Sequence, residues 1–548
     1  MYRCIGVNVI LTSNLMKIVK CLAIIFPFAL GAQSWSWVAP VDGSQGESCI
    51  VLQALESGGV ATGGAFTGSL DVQGWEAQAM GGDDLYLLRL DADQQLLWGL
   101  AAGSPQDDEV SALAELPDGD IAFAGAFWFE LQLGDTLLSS GGTPRGLFIA
   151  RLTPEGQVRW ARSIPGQGLK NITGLLARPD GSLALTGYFE QSLDLAPLFL
   201  NSARDDGSTF AFVAALSGQG ESLWAQQAGQ SNDTRSNAIA LLPDGALAIG
   251  GFFNDTTRFE DTQFTANTFD PDAFLASYAE DGSFRWARKA GGVVDDEVRA
   301  LASGPEGAIY ATGSMIGVMA VSEDIVLQTT SGNPNFFLLK YNAEGTPLYG
   351  RTLGNAQIQQ GLDIDEQEGL VAISGTFTGG LEIDGRAISS GGTPHGFAAG
   401  FNAEGEGRWL VPVPANVALV ASCLDIGPER RVLVGGSYAQ TATFDEELLS
   451  CTGSTGAFIA QLSPALTPLA EAPLQELKVE VFPNPGNGHF RLQPAGRPYA
   501  IRLYDGLGRL LRQWEDTDQL RMEELPGGWY MVVVSLGNKT KVLRVQMW

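Results

Sequence analysis

Histidine is nearly absent from this sequence: 548 residues include only two, His395 and His489. Most nucleophilic triads and dyads, and most histidine-rich zinc sites, need a histidine, so these chemistries are largely excluded. The sequence also lacks a phosphate-binding glycine loop with its lysine, a dinucleotide glycine motif, a zinc-protease helix motif and a nucleophile elbow. We therefore predict a non-enzymatic chain with no catalytic, cofactor-binding or metal-ligating residues.

Cysteine is also rare. Of the five cysteines, Cys4 and Cys21 fall within the first 32 residues, which leaves Cys49, Cys423 and Cys451 for the rest of the chain. Three thiols at such wide spacing match no zinc pattern. In an exported protein one disulfide, for example Cys423–Cys451, is compatible with the sequence. Unpaired small core residues are the alternative, and the sequence leaves the two open.

Charged residues make up only 17% of the chain, and acids outnumber bases 62 to 33, for a net charge of −29. So acidic a chain repels phosphate backbones, which argues against nucleic-acid binding. Hydrophobic residues make up 45%, enough for a large core. Glycine is frequent, at 69 residues without a collagen period, and this composition is typical of an all-β protein with many tight turns.

Long apolar runs are missing, apart from a short one near the start. Residues 16–32 read MKIVKCLAIIFPFALGA, with Lys17 and Lys20 ahead of an apolar stretch that is too short for an ordinary membrane span. We interpret residues 1–32 as an upstream extension plus a signal peptide that starts at Met16. The mature chain is then expected to be soluble, without a transmembrane segment, and secreted or on the outer cell surface.

A repeat of 60 to 64 residues fills most of the chain. It has three markers: an aromatic anchor, an apolar strand with a central glycine, and a second apolar strand. The anchors are Trp37, Trp98, Trp160, Trp224, Trp286, Tyr349 and Trp409. The central glycines are Gly64, Gly125, Gly187, Gly251, Gly313, Gly375 and Gly436. Seven copies of three markers in one register predict a repeat fold.

Regular turns separate the strands of each repeat. Pro-Asp-Gly occurs at 117–119, 179–181 and 243–245, where proline fixes φ, aspartate caps the turn and glycine takes positive φ. A second turn, with Gly156, Gly282, Gly345 or Gly405, precedes an anchor. The central glycine of the apolar strand indicates close approach of another backbone or a ring, and we expect the anchor ring of the neighbouring repeat there.

Repeats of this kind stack either as an open solenoid or as a closed propeller. The segment Trp35–Val38 supplies an anchor strand before the first full repeat, and no anchor strand follows the last one. We therefore predict a seven-bladed β-propeller over residues 33–466, whose last blade is closed by the N-terminal strand. The phrase of acidic loop, strand, Pro-Asp-Gly turn, glycine strand and tryptophan strand resembles the secreted bacterial β-propeller repeat, which implies a fold and little about function.

The tail departs from the repeat. After a linker at 467–476, residues 477–548 form short alternating strands between glycine and asparagine turns, which predicts a small immunoglobulin-like β-sandwich. Its ordered phrases are Pro483-Asn484-Pro485, Tyr504-Asp505 with Gly508-Arg509, and Gly528 with Tyr530. They resemble the type A C-terminal sorting domain of the type IX secretion system of Bacteroidetes. The resemblance implies recognition by that secretion machinery, followed by release or attachment at the cell surface.

Acidic loops precede the first strand of several repeats. They contain Asp107-Asp108-Glu109, Asp295-Asp296-Glu297 and Asn232-Asp233. Carboxylates of this kind are Ca²⁺ ligands, but no EF-hand or nonapeptide spacing is present, and turn capping is the alternative. The aromatic run Phe127-Trp128-Phe129 can stack on sugars or pack over a blade edge. The SSGGTP phrase, at 139–144 and again at 389–394, is interpreted as a hairpin turn. His395 is expected at the surface.

Three functions remain open from the sequence. The first is a non-enzymatic binding or adhesion platform for an extracellular glycan or protein. The second is a polysaccharide-acting hydrolase or lyase with carboxylates in the propeller channel, separated by roughly 5–10 Å. The third is a structural component of the cell surface.

Overall fold

A computed structural model describes most of the chain. The described ranges are 33–202, 206–230, 233–266, 270–329, 332–354, 357–463, 480–482, 489–493, 499–504, 510–522, 525–536 and 539–547. The predicted leader at 1–32 and the linker at 467–476 lie outside them. The chain divides into two compact units, Met1–Ala465 and Leu466–Trp548. Among the described residues, no helix is long and apolar enough to cross a membrane.

The first unit contains seven four-stranded antiparallel blades, and a hairpin of the next blade extends the sheets of blades 4 and 7 to six strands. Blade 1 comprises Gly46–Ala54, Val60–Thr67, Asp84–Leu90 and Leu96–Ala102. Blade 2 comprises Glu109–Glu115, Ile121–Trp128, Arg145–Leu152 and Val158–Ile164. Blade 3 comprises Lys170–Ala177, Leu183–Phe189, Phe210–Leu216 and Ser222–Ala228. Blade 4 comprises Thr234–Leu241, Leu247–Phe253, Asp272–Tyr278 and Phe284–Gly292.

The remaining blades follow the same order. Blade 5 comprises Asp296–Ser303, Ile309–Met315, Asn335–Tyr341 and Pro347–Leu353. Blade 6 comprises Gln359–Gln367, Leu370–Phe377, His395–Asn402 and Gly407–Val413. Blade 7 comprises Ala418–Gly427, Arg431–Ala439 and Gly456–Leu462, with Trp35–Gly43 as its fourth strand. Two 3₁₀ turns occupy Pro305–Gly307 and Pro428–Arg430.

The N-terminal strand closes the ring, as predicted. Trp35–Gly43 pairs antiparallel with the third strand of blade 7, with Val38 opposite Ala460. The seven-bladed propeller with this closure is therefore confirmed.

A two-stranded hairpin sits between the second and third strands of every blade. The hairpins are Ser69–Val72 with Trp75–Gln78, Glu130–Leu133 with Thr136–Ser139, Ser192–Leu195 with Leu198–Asn201, Thr256–Phe259 with Thr262–Thr265, Val318–Ala320 with Val326–Gln328, Gly380–Ile383 with Arg386–Ser389, and Thr441–Phe444 with Glu447–Ser450. The two SSGGTP phrases each connect such a hairpin to the third strand of its blade, so they are not hairpin turns as predicted.

The core lies between adjacent blades. One hydrophobic cluster, for example, combines Leu85 and Leu87 of blade 1 with Phe123, Phe127 and Phe148 of blade 2, all fully buried. A blade buries both faces only by stacking on its neighbours, which is why the apolar strands repeat with every blade.

The aromatic anchors lie on the fourth, outermost strands. The rings of five of them pack on a turn glycine of the next blade: Trp98, Trp160, Trp224, Trp286 and Tyr349. A Cβ built on Gly156, in the blade 2 turn, would lie 2.7 Å from the Trp98 ring, and the Trp98 indole nitrogen also donates to the Pro154 carbonyl at 2.8 Å. The Trp409 ring instead meets Gly400, in the third strand of its own blade. The expectation that anchor rings face the central strand glycines is wrong, because these five rings face turn glycines instead.

The second unit contains two antiparallel sheets. One comprises Glu480–Phe482, His489–Gln493 and Gln519–Arg521, and the other comprises Tyr499–Tyr504, Leu510–Thr517, Gly528–Leu536 and Lys539–Met547. Phe490 and Leu492 of the first sheet share a core with Ile501 and Val532 of the second, so the sheets pack face to face. The immunoglobulin-like topology stays a prediction.

Candidate functional site

A ring of β-bulges surrounds the axis of the propeller. The first strand of each blade shifts register against the second by one extra residue. The bulge residues are Ile50, Ser111, Thr173, Asn237, Arg299 and Leu362, and in blade 7 the pair Ala421–Ser422 lies opposite the single residue Gly436. All but Ala421 line a central cavity of about 310 Å³. Because a bulge redirects a side chain, each blade contributes a bulge residue, with its neighbours, to the channel wall.

The central glycines make these bulges fit. A Cβ on Gly125 would lie 1.9 Å from the Glu109 carbonyl oxygen, and one on Gly251 would lie 1.9 Å from that of Arg235. The part of the prediction that placed a close backbone beside these glycines is thus correct. The backbone belongs to the first strand of the same blade, immediately before its bulge.

Several polar channel residues tie one blade to the next. Ser111 Oγ donates to the Ile172 carbonyl at 2.7 Å, and Thr173 Oγ1 donates to that of Ser236 at 2.7 Å. The Asn237 amide and the Ser422 hydroxyl make the equivalent bonds at 2.8 and 2.7 Å. The same groups therefore line the channel and hold the ring together.

Three carboxylates project from the first strands of blades 6 and 7. Asp363 Oδ2 accepts the Leu424 N–H at 2.7 Å, and Asp365 Oδ2 accepts that of Ile426 at 2.8 Å. Asp425 Oδ2 accepts the Ala54 N–H at 2.6 Å, so it reaches from blade 7 to blade 1. Each carboxylate thus bonds to the backbone of the following blade.

These carboxyl groups hold protons more tightly than usual. Burial raises the pKa of Asp363 to about 7. Burial, and then the neighbouring charge of Asp425, raise the pKa of Asp365 well above its usual range. Burial likewise raises the pKa of Asp425. The three carboxyl groups therefore hold protons to higher pH than an exposed aspartate does.

Charge of both signs lines the cavity itself. Arg299 carries the positive charge and Asp363 the negative charge among the lining residues. Arg299 Nε donates to Glu297 Oε1 at 2.6 Å, and the Ser314 hydroxyl donates to the same oxygen at 3.0 Å. The guanidinium is therefore held in place by an acid from one of the predicted acidic loops.

The other acidic-loop residues play different parts: Asp108 caps a turn, and Glu109 forms an ion pair with Arg145. Asp108 is fully buried, accepts the N–H groups of Ser104 and Trp128, and has its pKa raised to about 6, chiefly by burial. Asp296 is also fully buried, and burial followed by the charge of Asp272 raises its pKa to about 8. No group of three or more histidine, cysteine or acidic residues in the described parts of the chain could hold a metal ion. The absence of a bound metal stays a prediction, with calcium in the acidic loops as the open alternative.

Some predicted surface residues lie elsewhere. His395 is buried, with Nε2 3.0 Å from the Ala415 carbonyl oxygen and its ring edge-on to Phe377, so the prediction of a surface histidine is wrong. In the aromatic run, Phe127 belongs to the core, whereas Phe129 is 52% exposed. Only the outer part of that run is available for stacking on a ligand.

The cysteines also differ from expectation. Cys423 Sγ lies 3.5 Å from Cys49 Sγ, not beside Cys451. Cys451 Sγ lies 3.6 Å from the carbonyl oxygens of Gln440 and Gly453. The spacing of three cysteines carries no information about which two meet, because the pairing depends on how the ring closes.

The predicted sorting motif falls largely outside the described residues. Pro483, Asn484, Pro485, Asp505, Gly508 and Arg509 all lie there. Tyr504 ends a strand, and Gly528 begins one. Tyr530 is buried, and its hydroxyl donates to the Pro526 carbonyl at 2.6 Å.

The fold and channel define the first unit as a seven-bladed β-propeller. Residues 480–546 match the family described as "Secretion system C-terminal sorting domain", a range that contains every predicted motif residue from Pro483 to Tyr530. The type IX sorting domain is therefore confirmed, and the chain is an exported β-propeller protein handled by the type IX secretion system.

Two curated proteins are similar to parts of the chain. An uncharacterised WD repeat-containing protein of Acanthamoeba polyphaga mimivirus is 21% identical over 365 residues, or 54% of this chain. The regulatory protein FlaEY of Caulobacter vibrioides is 26% identical over 215 residues, or 39% of this chain. The matches span 26% and 21% of the lengths of those relatives.

Solved structures give low overall similarity. Sqt1 of Chaetomium thermophilum superposes with a TM-score of 0.37 at 11% identity, covering 78% of this chain and 99% of its own. The extracellular domain of a putative hybrid two-component system of B. thetaiotaomicron gives 0.22 at 10% identity, covering 93% and 76%.

Proposed function

We propose that the propeller is a non-catalytic binding platform for an extracellular glycan or protein. The observation that carries the proposal is the engagement of the channel carboxylates. Asp363, Asp365 and Asp425 each accept a backbone N–H from the next blade, as structural side chains do. The central cavity then offers a rigid polar surface, with Arg299 as its positive group and Asn237 on the adjacent blade.

A polysaccharide hydrolase is the second candidate, favoured by the pKa of Asp363, which is suited to proton transfer near neutral pH. Glycosidases, however, hold two carboxyl groups roughly 5–10 Å apart around the scissile bond. Both oxygens of Asp363 accept backbone N–H groups, and Asp365 and Asp425 each accept one from the following blade, so these carboxylates are engaged in holding blades together. This arrangement supports binding over hydrolysis.

A glycan array and an extracellular-protein array, probed with the purified full chain, test the proposal. We expect a ligand whose affinity falls at least about tenfold in Arg299→Ala, since a charged hydrogen bond contributes about 1.5–3 kcal/mol. Arg408→Ala is the matched control, because Arg408 lies exposed on the outermost strand of blade 6. Release of reducing sugar from polysaccharides would overturn the non-catalytic assignment, and silence on both arrays would favour a structural role.

A further inference from the structure

Two thiols meet where the propeller ring closes. Cys49 lies on the first strand of blade 1 and Cys423 on the first strand of blade 7, 374 positions apart in sequence. Their Sγ atoms are 3.5 Å apart, and both side chains are buried. The first and last blades of the ring thus place their sulfur atoms in van der Waals contact.

The surrounding backbone makes room for this pair. A Cβ on Gly435, in the second strand of blade 7, would lie 2.7 Å from both sulfur atoms. Any other residue at this position would push into the pair. Gly435 therefore allows the two sulfur atoms to approach each other.

The β-bulges hold the two strands in register at this point. Cys49 immediately precedes the bulge of blade 1, and Cys423 immediately follows the bulge of blade 7. The Ser422 hydroxyl donates to the Cys49 carbonyl at 2.7 Å, directly beside the thiols. The backbone is thus fixed around the sulfur atoms. A disulfide, at about 2.05 Å, requires the two sulfur atoms to move together by about 1.5 Å.

The chemical setting favours oxidation of this pair. The hydrogen bond from Cys423 lowers the pKa of Cys49, and the same bond, together with burial, raises the pKa of Cys423. Cys423 also lines the channel cavity, which gives a small oxidant a route to the pair.

We propose that Cys49 and Cys423 are a modification site. On export a disulfide joins the two cysteines and links blade 1 covalently to blade 7. The oxidant is a small disulfide, RSSR. The thiolate of one cysteine of the pair attacks one of its sulfur atoms, forms a mixed disulfide and releases one RSH. The other cysteine then attacks the protein sulfur of that mixed disulfide and releases the second RSH. Two electrons and two protons pass to RSSR, and one S–S bond replaces another. Exported proteins meet compartments that favour this exchange.

The bond has a consequence for the whole ring. Without it, blade 7 is completed only by non-covalent pairing of Trp35–Gly43 with the third strand of that blade. A covalent link between the first strands adds a second closure on the channel side of the same blade. By constraining the unfolded chain over a loop of several hundred residues, it also stabilises the folded state.

Site-resolved thiol alkylation tests the proposal without any mutation. The purified full chain is equilibrated with oxidised or reduced glutathione, unfolded in acid, alkylated and digested, and each cysteine is quantified by mass spectrometry. In oxidised buffer we expect Cys49 and Cys423 to lose alkylation together and to appear as a cross-linked peptide two hydrogens lighter than the sum. Cys451, which is half-buried, is the internal control: it should remain outside any cross-linked peptide and carry at most a glutathione.

Thermal unfolding gives a second readout. Oxidation should raise the Tm on the order of 5 °C in the wild type and in Cys451→Ser, but not in Cys423→Ser. Full alkylation of Cys49 and Cys423 in oxidised buffer would overturn the proposal. So would a mixed disulfide that persists on one of them, or a cross-link to Cys451.

Discussion

At the scale of single residues, buried acids are the most consequential feature. Burial is the largest cause in each case, raising the pKa to about 7 for Glu47, about 6 for Asp108, about 8 for Asp296 and about 7 for Asp363. The folded chain therefore binds protons that the unfolded chain releases near pH 4. The stability that these groups contribute is present at acid pH and is lost as the pH rises through their raised pKa values.

This predicts that the propeller is more stable near pH 5.5 than near pH 9. Asp296→Asn mimics the protonated acid, so it should remove part of that difference, by about 1 kcal/mol or more, and raise the Tm at pH 9. Thermal unfolding followed by circular dichroism at pH 5.5, 7 and 9 measures it. Asp135→Asn, at an exposed hairpin turn, makes the same charge change and should leave the pH dependence intact. A wild-type Tm that rises toward pH 9 would contradict this account.

The neighbouring glycines Gly250 and Gly251 offer a second test at this scale. A Cβ on Gly251 meets the Arg235 carbonyl at 1.9 Å, whereas one on Gly250 meets side-chain atoms of Val298 and Leu301 at 2.8 and 3.2 Å. Side chains can rotate away but the bulged backbone cannot. Gly251→Ala should therefore destabilise the propeller by about 2–4 kcal/mol in urea unfolding, and Gly250→Ala by clearly less. Equal losses would show that the bulge does not set the requirement for glycine.

The sequence predicted some single-residue features correctly and missed others, and the reason is physical. The repeat shows that a glycine is required within each apolar strand, but not which neighbour demands it. The buried position of His395 and the meeting of Cys49 with Cys423 both depend on packing between blades. Such contacts join residues far apart in sequence, so no local pattern reports them.

At the scale of elements, most of the aromatic anchors hold neighbouring blades together through a side-chain hydrogen bond and ring packing. Trp98, Trp160, Trp224 and Trp286 each donate their indole N–H to a turn carbonyl of the next blade, at 2.8–3.1 Å. Tyr349 stands in the same position with its ring against Gly405, but its hydroxyl has no hydrogen-bond partner. Tyr349 therefore packs on the next blade without a hydrogen bond from its hydroxyl.

This contrast predicts different costs for two similar substitutions. Trp98→Phe should lose the bond to Pro154 and part of the ring packing, costing about 1–2 kcal/mol in urea unfolding. Tyr349→Phe removes a buried hydroxyl without a partner, so it should be neutral or slightly stabilising. A loss in Tyr349→Phe as large as in Trp98→Phe would argue against the hydrogen bond as the source of the difference.

The strands and turns were predictable from sequence, whereas the channel was not. The Pro-Asp-Gly turns behave as expected: Gly119, Gly181 and Gly245 take positive φ near 80°, and Asp180 Oδ1 accepts the Ser182 N–H at 2.9 Å. The bulges left no comparable signal, because one extra residue in an apolar strand changes neither its composition nor its spacing. The polar ring at Ser111, Thr173 and Asn237 therefore emerged only from the pairing of strands.

At the scale of the whole molecule, closure of the ring by the N-terminal strand is the decisive feature. Val38 pairs with Ala460 and belongs to the core of blade 7, while Ser36 falls at a register shift and is exposed. A proline at position 38 removes a backbone donor and a core side chain together. We expect Val38→Pro to cost about 3 kcal/mol and Ser36→Pro about 1 kcal/mol or less.

Urea unfolding with limited proteolysis measures this difference, and the proteolysis identifies its cause. If ring closure carries the stability, Val38→Pro should expose cleavage sites first at the edge of blade 7, because its third strand loses its outer partner. Blades 3 and 4 lie away from that junction and should stay protected for longer, since each blade is held mainly by its immediate neighbours. Simultaneous cleavage throughout the propeller would instead mean that the ring unfolds as one cooperative unit, and that closure at one blade sets the stability of all seven.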